Sequence, residues 1–330
     1  MRARSEEENK MSMFTRIAAM IAAGSLAAAA HAQSFPNKPI RILVPFSPGG
    51  ATDTFARTTA AEITRSLGQQ VIVENRPGAG TTIAADIVAK AAPDGHTLFF
   101  TDLQTHTISS SLYRKLPYDP LRDFTPVAPV NVSPLVLVSH PSVPARSVKA
   151  LVAIAKKNPG MTGGHSGIGT VTHMTLEKFR LRAGIQITPV AYKGGSTPVV
   201  ALLGGEITML MATAPASIQY VRKGKLVALG LAAERRSPHV PEIPTIGESV
   251  PGVEGAVFSG VLAPAGTPAN VVNLLNAEFA KACDSPKAKQ IFATNVAEAV
   301  KMSPAELATR LERDVKLWAD VVKATGVKVD

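Results

Sequence analysis

At 330 residues the chain is longer than one typical domain, so two lobes with a large buried core are expected. It carries 35 Lys and Arg against 25 Asp and Glu, a formal charge of +10, yet it has no block of five basic residues, and its aromatic residues, 5% of the total, do not interleave with basic ones; both features argue against a nucleic-acid partner. Cys283 is the sole cysteine, which excludes an intramolecular disulfide and a cysteine metal cluster but not an oxidising compartment.

The N-terminus reads as an export signal. Residues 17–30 (IAAMIAAGSLAAAA) are apolar, Arg16 precedes them, and Ala30-His31-Ala32 has the A-x-A form of a cleavage site. The run is too short to span a bilayer comfortably, and no later stretch reaches the roughly 18 uninterrupted apolar residues that a span needs. The acidic leader MRARSEEENK does not suit such a signal, so translation from Met11 or Met13 rather than Met1 is expected. Residues 1–32 are then removed, and a soluble exported protein begins near Gln33. No Cys follows the cleavage site, so a lipid anchor is not supported.

Residues 40–46 form a short β-branched run cut by Pro45 and Pro48 and followed by Gly49 and Gly50. Thr52 and Asp53 then open a segment with apolar residues at helical spacing up to Leu67. Strand, glycine turn and helix leave backbone N–H groups free at the positive end of a helix dipole, which suits an anionic group. Residues 70–74 and 96–101 read as strands flanking a helix that Thr81 or Thr82 caps and Pro93-Asp94-Gly95 ends. Two successive β-α-β crossovers predict a parallel sheet covered by helices, with ligands at the carboxyl ends of its strands. The turn after Phe46 and the loop at 102–106 both lie at that end. Gly78-x-Gly80 lacks the third glycine of a dinucleotide fingerprint, and no GK[ST] occurs, so no nucleotide cofactor is expected.

A proline-rich irregular passage at 118–126 leads to a strand at 135–138, a helix at 147–157, and a change of lobe. The second half repeats the first. Ser166-Gly167-Ile168-Gly169-Thr170 stands between a strand at 161–165 and a helix from His173 to Ala183, again offering N–H and O–H donors at a helix start. A strand at 185–192 runs into Lys193-Gly194-Gly195-Ser196, and further strands are expected at 207–211 and 226–231. Residues 257–262 read as the return to the first lobe. Helices follow at 269–283 and at 304–324, the last with Leu307, Leu311, Val315, Trp318 and Val322 on one apolar face; Trp318 therefore reads as core. Gly164-His165-Ser166-Gly167 fails as a nucleophile elbow because Ile168 stands where glycine is required. No H-E-x-x-H or carboxylate cluster is found, so neither catalytic nor metal-binding residues are assigned.

The segments PFSPGGATDTFAR, VIVENRPGAGTTIAADIVAKAAPDGHTL, YDPLRDFTPV, YKGGSTPVVALLGGEI, GKLVALG with ERRSP and IPTIGE, and LAPAGTP together resemble the Bug receptors, the TctC-like solute-binding proteins associated with tripartite tricarboxylate transport. The likeness covers nearly the whole mature chain. It implies an α/β, periplasmic binding protein-like fold of type II: two lobes with mainly parallel sheets, joined by two crossovers, lobe one formed by 33–133 plus 257–330 and lobe two by 134–256. It also implies a monomeric, non-enzymatic receptor without cofactor that closes on a small organic acid and hands it to a TctA/TctB-like membrane permease. An enzyme on the same lobes, or a sensory ligand domain partnering a membrane sensor, are the alternatives. Carried over by position, the ligand loops match Phe46, Ser47, Gly49, Gly50 and Asp53; Thr105 and His106; Ser166, Gly169, Thr170 and His173; and Lys193 with Gly194. Asp53 reads either as a cleft acid, as for an amino-acid ligand, or as a helix cap. His106 and His173 read either as charge donors below about pH 6.5 or as neutral hydrogen-bonding groups.

Overall fold

In the computed structural model, residues 35–327 and 329 are described; the expected signal segment and start site lie outside them. β1 (Ile40–Val44) is buried on both faces except at Arg41, the pattern of a central strand in a sheet covered on both sides. In chain order there follow α1 (Ala51–Leu67), β2 (Val71–Asn75), α2 (Thr82–Ala89), β3 (Thr97–Asp102), α3 (Leu103–Leu112), β4 (Phe124–Ser139), α4 (Val148–Lys157), β5 (Thr162–His165), α5 (Val171–Ala183), β6 (Thr188–Ala191), α6 (Thr197–Leu203), β7 (Met209–Thr213), α7 (Ala214–Arg222), β8 (Val227–Ala232), β9 (Ala256–Pro264), α8 (Ala269–Asp284), α9 (Pro286–Thr294), β10 (Glu298–Ala299) and α10 (Pro304–Thr325).

The strands run in the order β2-β1-β3-β9-β4-β7-β5-β6, with β8 and β10 also pairing with β4. β1 is parallel to β2 and β3, and β5 is parallel to β6 and β7. The middle is antiparallel, because β9 pairs β3 and β4 and β4 pairs β7 and β8. The expectation of parallel sheets therefore describes the outer strands, and the strands that cross between the two halves make the rest mixed.

β4 is that crossing. Its residues 124–134 pair with β9, while 135–139 pair with β7 and β8. The chain returns beside the same point, where Leu135 N donates to Gly255 O (3.1 Å). β4 begins eleven residues before the strand expected from sequence, inside the passage read as irregular. Pro126, Pro129 and Pro134 lie within it and lack the N–H a ladder needs. Register shifts next to Pro126 and Pro129 accommodate the first two.

Each half has its own core. Leu43, Val88, Phe99, Phe124, Phe258 and Leu307 belong to one; Val136, Leu202, Leu210, Ile218, Leu231 and Val240 belong to the other. α10 starts on a capping box between Ser303 and Glu306 with Pro304 in its first turn, and it stops at Gly326 in the left-handed conformation. Its buried stripe is Leu307, Leu311, Asp314, Trp318 and Val322. Asp314 thus takes the place expected for the half-buried Val315, its carboxylate held by Arg310 at 2.8 Å. α10 packs on α3 and reaches α5, so it touches both halves. No helix among the described residues is long and apolar enough to cross a membrane.

Candidate functional site

Four helices point their N-termini at one cavity between the halves. Its wall is formed by Phe46, Gly50, Ala51 and Thr52 at the start of α1; Asp102 and Thr105 at α3; Ser166, Thr170, Val171 and Thr172 at α5; Thr213 at α7; and Gly195 with Val257. Gly50, Asp102, Thr170 and Thr213 are the residues that precede the four helices. First-turn amides have no helical carbonyl to bond, and each N-terminus carries about half a positive charge. No lysine or arginine lines the cavity. A site of this kind attracts an anion with backbone dipoles and hydroxyls rather than with a cationic side chain.

The loops that face each other across the cavity touch directly. Ser47 N donates to Lys193 O (3.3 Å) and Ser196 N donates to Pro48 O (3.3 Å). Deeper in, Val171 N donates to Thr105 Oγ1 (3.1 Å). This approach depends on two glycines. A Cβ on Gly50 would lie 2.8 Å from Gly195 Cα, and a Cβ on Gly195, whose φ is +61°, would lie 2.2 Å from Ser47 O. The cavity left between the loops is about 20 Å³, roughly the room of one water molecule.

Of the residues singled out from sequence, Phe46, Gly50, Thr105, Ser166 and Thr170 line this cavity. Ser47, Gly49 and Gly194 belong to the contact between loops: Gly194 lies against the Phe46 ring, Gly49 beside Ser196. Lys193 takes part through its carbonyl, while its side chain is exposed.

Asp53 is buried behind the turn. Its carboxylate accepts from Gly49 N (3.0 Å), Arg57 Nε (3.0 Å) and Asn75 Nδ2 (2.9 Å), and Asn75 also donates to Phe46 O (2.9 Å). Burial alone would raise its pKa, but Arg57, the Gly49 amide and Asn75 together hold it below the usual carboxylate value. Asp53 thus neither faces the cleft nor caps the helix in the usual way; it reaches back to fix the Gly49–Gly50 turn.

The two histidines also differ from expectation. His106 is fully buried in the first core, edge-on to Phe99 and Phe124, with Nε2 2.9 Å from Pro120 O, so it does not reach the cleft. Burial pulls its pKa down to about 4, and the Pro120 carbonyl offsets this only in part. His173 stands behind the 166–170 loop, stacked on His165 with ring centroids 4.2 Å apart. Nδ1 of His165 stands 3.0 Å from Gly167 O and 3.2 Å from Gly167 N, so it bonds the loop in either tautomer, and Nδ1 of His173 accepts from Gly169 N (3.2 Å). Burial and the neighbouring His173 bring His165 down to about 3, and burial lowers His173 as well. Burial keeps both rings neutral, and both tie down the loop.

Gly169 is likewise a loop-shaping residue, with φ +76° and its α-carbon against Leu112. Thr170 caps α5, accepting from His173 N (3.4 Å) and donating to Gly167 O (2.7 Å). Asp102 was not singled out from sequence, yet it lines the cavity. It accepts from Gln104 N (3.3 Å), Thr105 N (3.2 Å), Phe258 N (3.0 Å) and the Thr105 hydroxyl. Burial raises its pKa to about 6 against the pull of these donors. Asp followed by Thr three positions on, at a strand end, is a readable cap signal. The donor from Phe258, 156 residues away, is not.

Residues 55–327 match the model of the tripartite tricarboxylate transporter family receptor. The protein BugT of Bordetella pertussis is 36% identical over 324 residues, spanning 97% of this chain and 99% of BugT. A protein of R. palustris solved with adipate superimposes with a TM-score of 0.86 at 33% identity, covering 89% of this chain and 99% of that one. MatC from Rhodopseudomonas palustris, solved with bound malate, gives 0.81 at 34% identity, covering 87% and 100%.

Proposed function

The chain belongs to the tripartite tricarboxylate transporter receptor family, and from that premise we propose that it is an exported receptor that captures a small mono- or dicarboxylate, unchanged, between lobe one (33–133 plus 257–330) and lobe two (134–256). The observation that carries this reading is the convergence of four helix N-termini on a cavity with no basic side chain. The cavity is too small for such an acid as it stands, so the lobes separate to admit it and close again around it. The amides of Ser47, Val171 and Ser196, which now bond across the interface, turn to the guest, helped by the first-turn amides of α1 and by bridging waters. Thr105, Ser166 and Thr170 add hydroxyls; Asp53, His165 and His173 hold the loops.

The buried Asp102 carboxylate faces the guest and disfavours a second negative charge nearby. It selects for acids whose far carboxylate reaches another helix N-terminus. Release then serves a TctA/TctB-like permease in the inner membrane, with the receptor acting as a periplasmic monomer.

The test is a thermal-shift screen of residues 33–330 against mono- and dicarboxylates, adipate and malate included, with diamines and diamides of matched length as controls. At least one acid raises the melting temperature in a concentration-dependent way. Stabilisation by the amines or amides with none by any acid overturns the reading.

A further inference from the structure

The strands that cross between the two cores separate the cleft from a second, larger cavity of about 620 Å³. That volume lies within the range of about 300–1,000 Å³ usual for small-molecule sites. Neighbouring residues sort to the two sides: on β9 Ala256 lines the second cavity and Val257 the cleft, as strand alternation requires, and on α3 Gln104 lines the second cavity and Thr105 the cleft.

One wall of the second cavity is apolar, made by Val132 and Pro134 of β4 and by Leu317, Trp318 and Val321 of α10. Leu317 is 57% exposed there, although it is a large aliphatic side chain. Trp318 is only 4% exposed, yet its indole Nε1 has no hydrogen-bond partner, and the buried Gln104 Oε1 has none either. Neither atom opens onto the cavity, so what this wall offers a guest is carbon. The charged groups are balanced in number. Lys178, Arg235 and Arg236 stand with Glu234, Glu254 and Glu298. Lys178 donates to Glu254 O (2.9 Å), and Arg236 is paired with Glu248, leaving Arg235 as the cation that no protein group engages among the described residues.

We propose that this cavity is a second ligand site, for a small zwitterion with an apolar side chain, of which phenylalanine is the probe. Its side chain lies on the Leu317–Trp318–Val321 wall. Its carboxylate takes Arg235, and its ammonium takes one of the glutamates Glu234, Glu254 or Glu298. A purely anionic guest meets three carboxylates and a purely cationic one meets three cations, which is why the zwitterion is favoured. This site is independent of what the cleft binds.

Trp318 is the only tryptophan in the chain, so its emission reports on this cavity. Titrating residues 33–330 with L-phenylalanine, exciting beyond phenylalanine absorption, is expected to give a saturable emission change with the same midpoint as calorimetric heat. Phenylacetate and phenethylamine each bind about tenfold more weakly, as does phenylalanine to Leu317→Asp, whose substitution falls on an exposed position. Arg235→Ala, read by calorimetry, loses affinity through the missing cation while keeping the apolar wall. No emission change or heat at millimolar phenylalanine overturns the proposal. So does binding that Thr170→Val weakens and Leu317→Asp does not, which would put the amino acid in the cleft.

Discussion

The two loops that meet across the cleft are built for the same task with opposite chemistry. Behind residues 46–50 stands an ionic triangle: Asp53, Arg57 and Asn75, the last also donating to Phe46 O. Behind residues 166–170 stands a neutral stack, His165 on His173, with ring nitrogens hydrogen-bonded to the backbone of Gly167 and Gly169. Both arrangements fix a glycine turn at a helix N-terminus. They differ in what acid does to them. The carboxylate of Asp53 stays ionised below the ordinary carboxylate value, whereas protonating His173 turns the Nδ1 acceptor of Gly169 N–H into a donor, and protonating His165 puts a buried charge against His173. One loop is thus set to hold its shape in acid longer than the other.

The largest effect is expected from breaking the contact between the loops. Gly195→Val places a branched side chain at φ +61° with its Cβ against Ser47 O. Strain of order 1–3 kcal/mol, added to the loss of closure, predicts a fall of about a hundredfold in calorimetric affinity for the acid found by the screen. Small-angle scattering of this variant with that acid stays at the open dimensions.

Next comes the ionic loop. Asp53→Ala leaves Gly49 N–H without its acceptor and Asn75 Nδ2 with Phe46 O alone. It is expected to cost about 1–3 kcal/mol in denaturant unfolding and to weaken ligand binding, with Asp53→Asn intermediate. Unchanged affinity in Asp53→Ala would remove this residue from the support of the site.

The pH response sharpens the comparison itself. A histidine whose folded pKa lies below its unfolded value of about 6.5 leaves the unfolded chain holding more protons between the two values, so stability falls as pH drops through that window. For His165 the window runs from about 6.5 to about 3, and for His106 from about 6.5 to about 4. The depressed Asp53 behaves oppositely in range: its contribution is complete above the unfolded carboxylate pKa and is lost only below it. Because His106 adds to the global loss from the other core, the decisive readout is local. Amide exchange between pH 6.5 and 4.5, corrected for intrinsic rates, is expected to rise in residues 166–170 before it rises in 46–50. The reverse order contradicts the assignment of the two supports.

Smaller effects complete the series. Thr170→Val removes the α5 cap and is expected to cost about 1 kcal/mol of stability, with a further loss of ligand affinity. Lys193→Ala is expected to change stability by no more than about 0.5 kcal/mol, because only its carbonyl takes part in the contact.

What the chain discloses without coordinates follows from how local the physics is. The Pro-Gly-Gly turn into α1 and the glycine-hydroxyl loop 166–170 ahead of α5 are local events, and both are legible in the residues themselves. α3 was not, since LQTHTISSSL has no apolar period; its Thr105, His106, Thr107 and Ser109 are buried by their surroundings rather than by hydrophobicity. β4 was concealed by three prolines whose cost is met by bulges and an edge of the crossing, which depend on β9 more than a hundred residues on. α7 was missed because Ala214-Pro215 reads as an exit from β7, although proline is tolerated in a helix's first turn. Asp53 and His106 follow the cavity-lining Thr52 and Thr105 in the chain, but their partners, Asn75 and Pro120, hold the side chains away from the cavity. Those partners are set by tertiary packing.

The central claim is that opposed helix N-termini grip the carboxylate. Backbone amide NMR of residues 33–330 titrated with the acid that gives the largest thermal shift tests it most directly. Saturable shifts concentrated at Ala51, Thr52, Val171 and Thr172 are predicted, with a midpoint equal to the calorimetric one; saturation without movement of those four amides contradicts it.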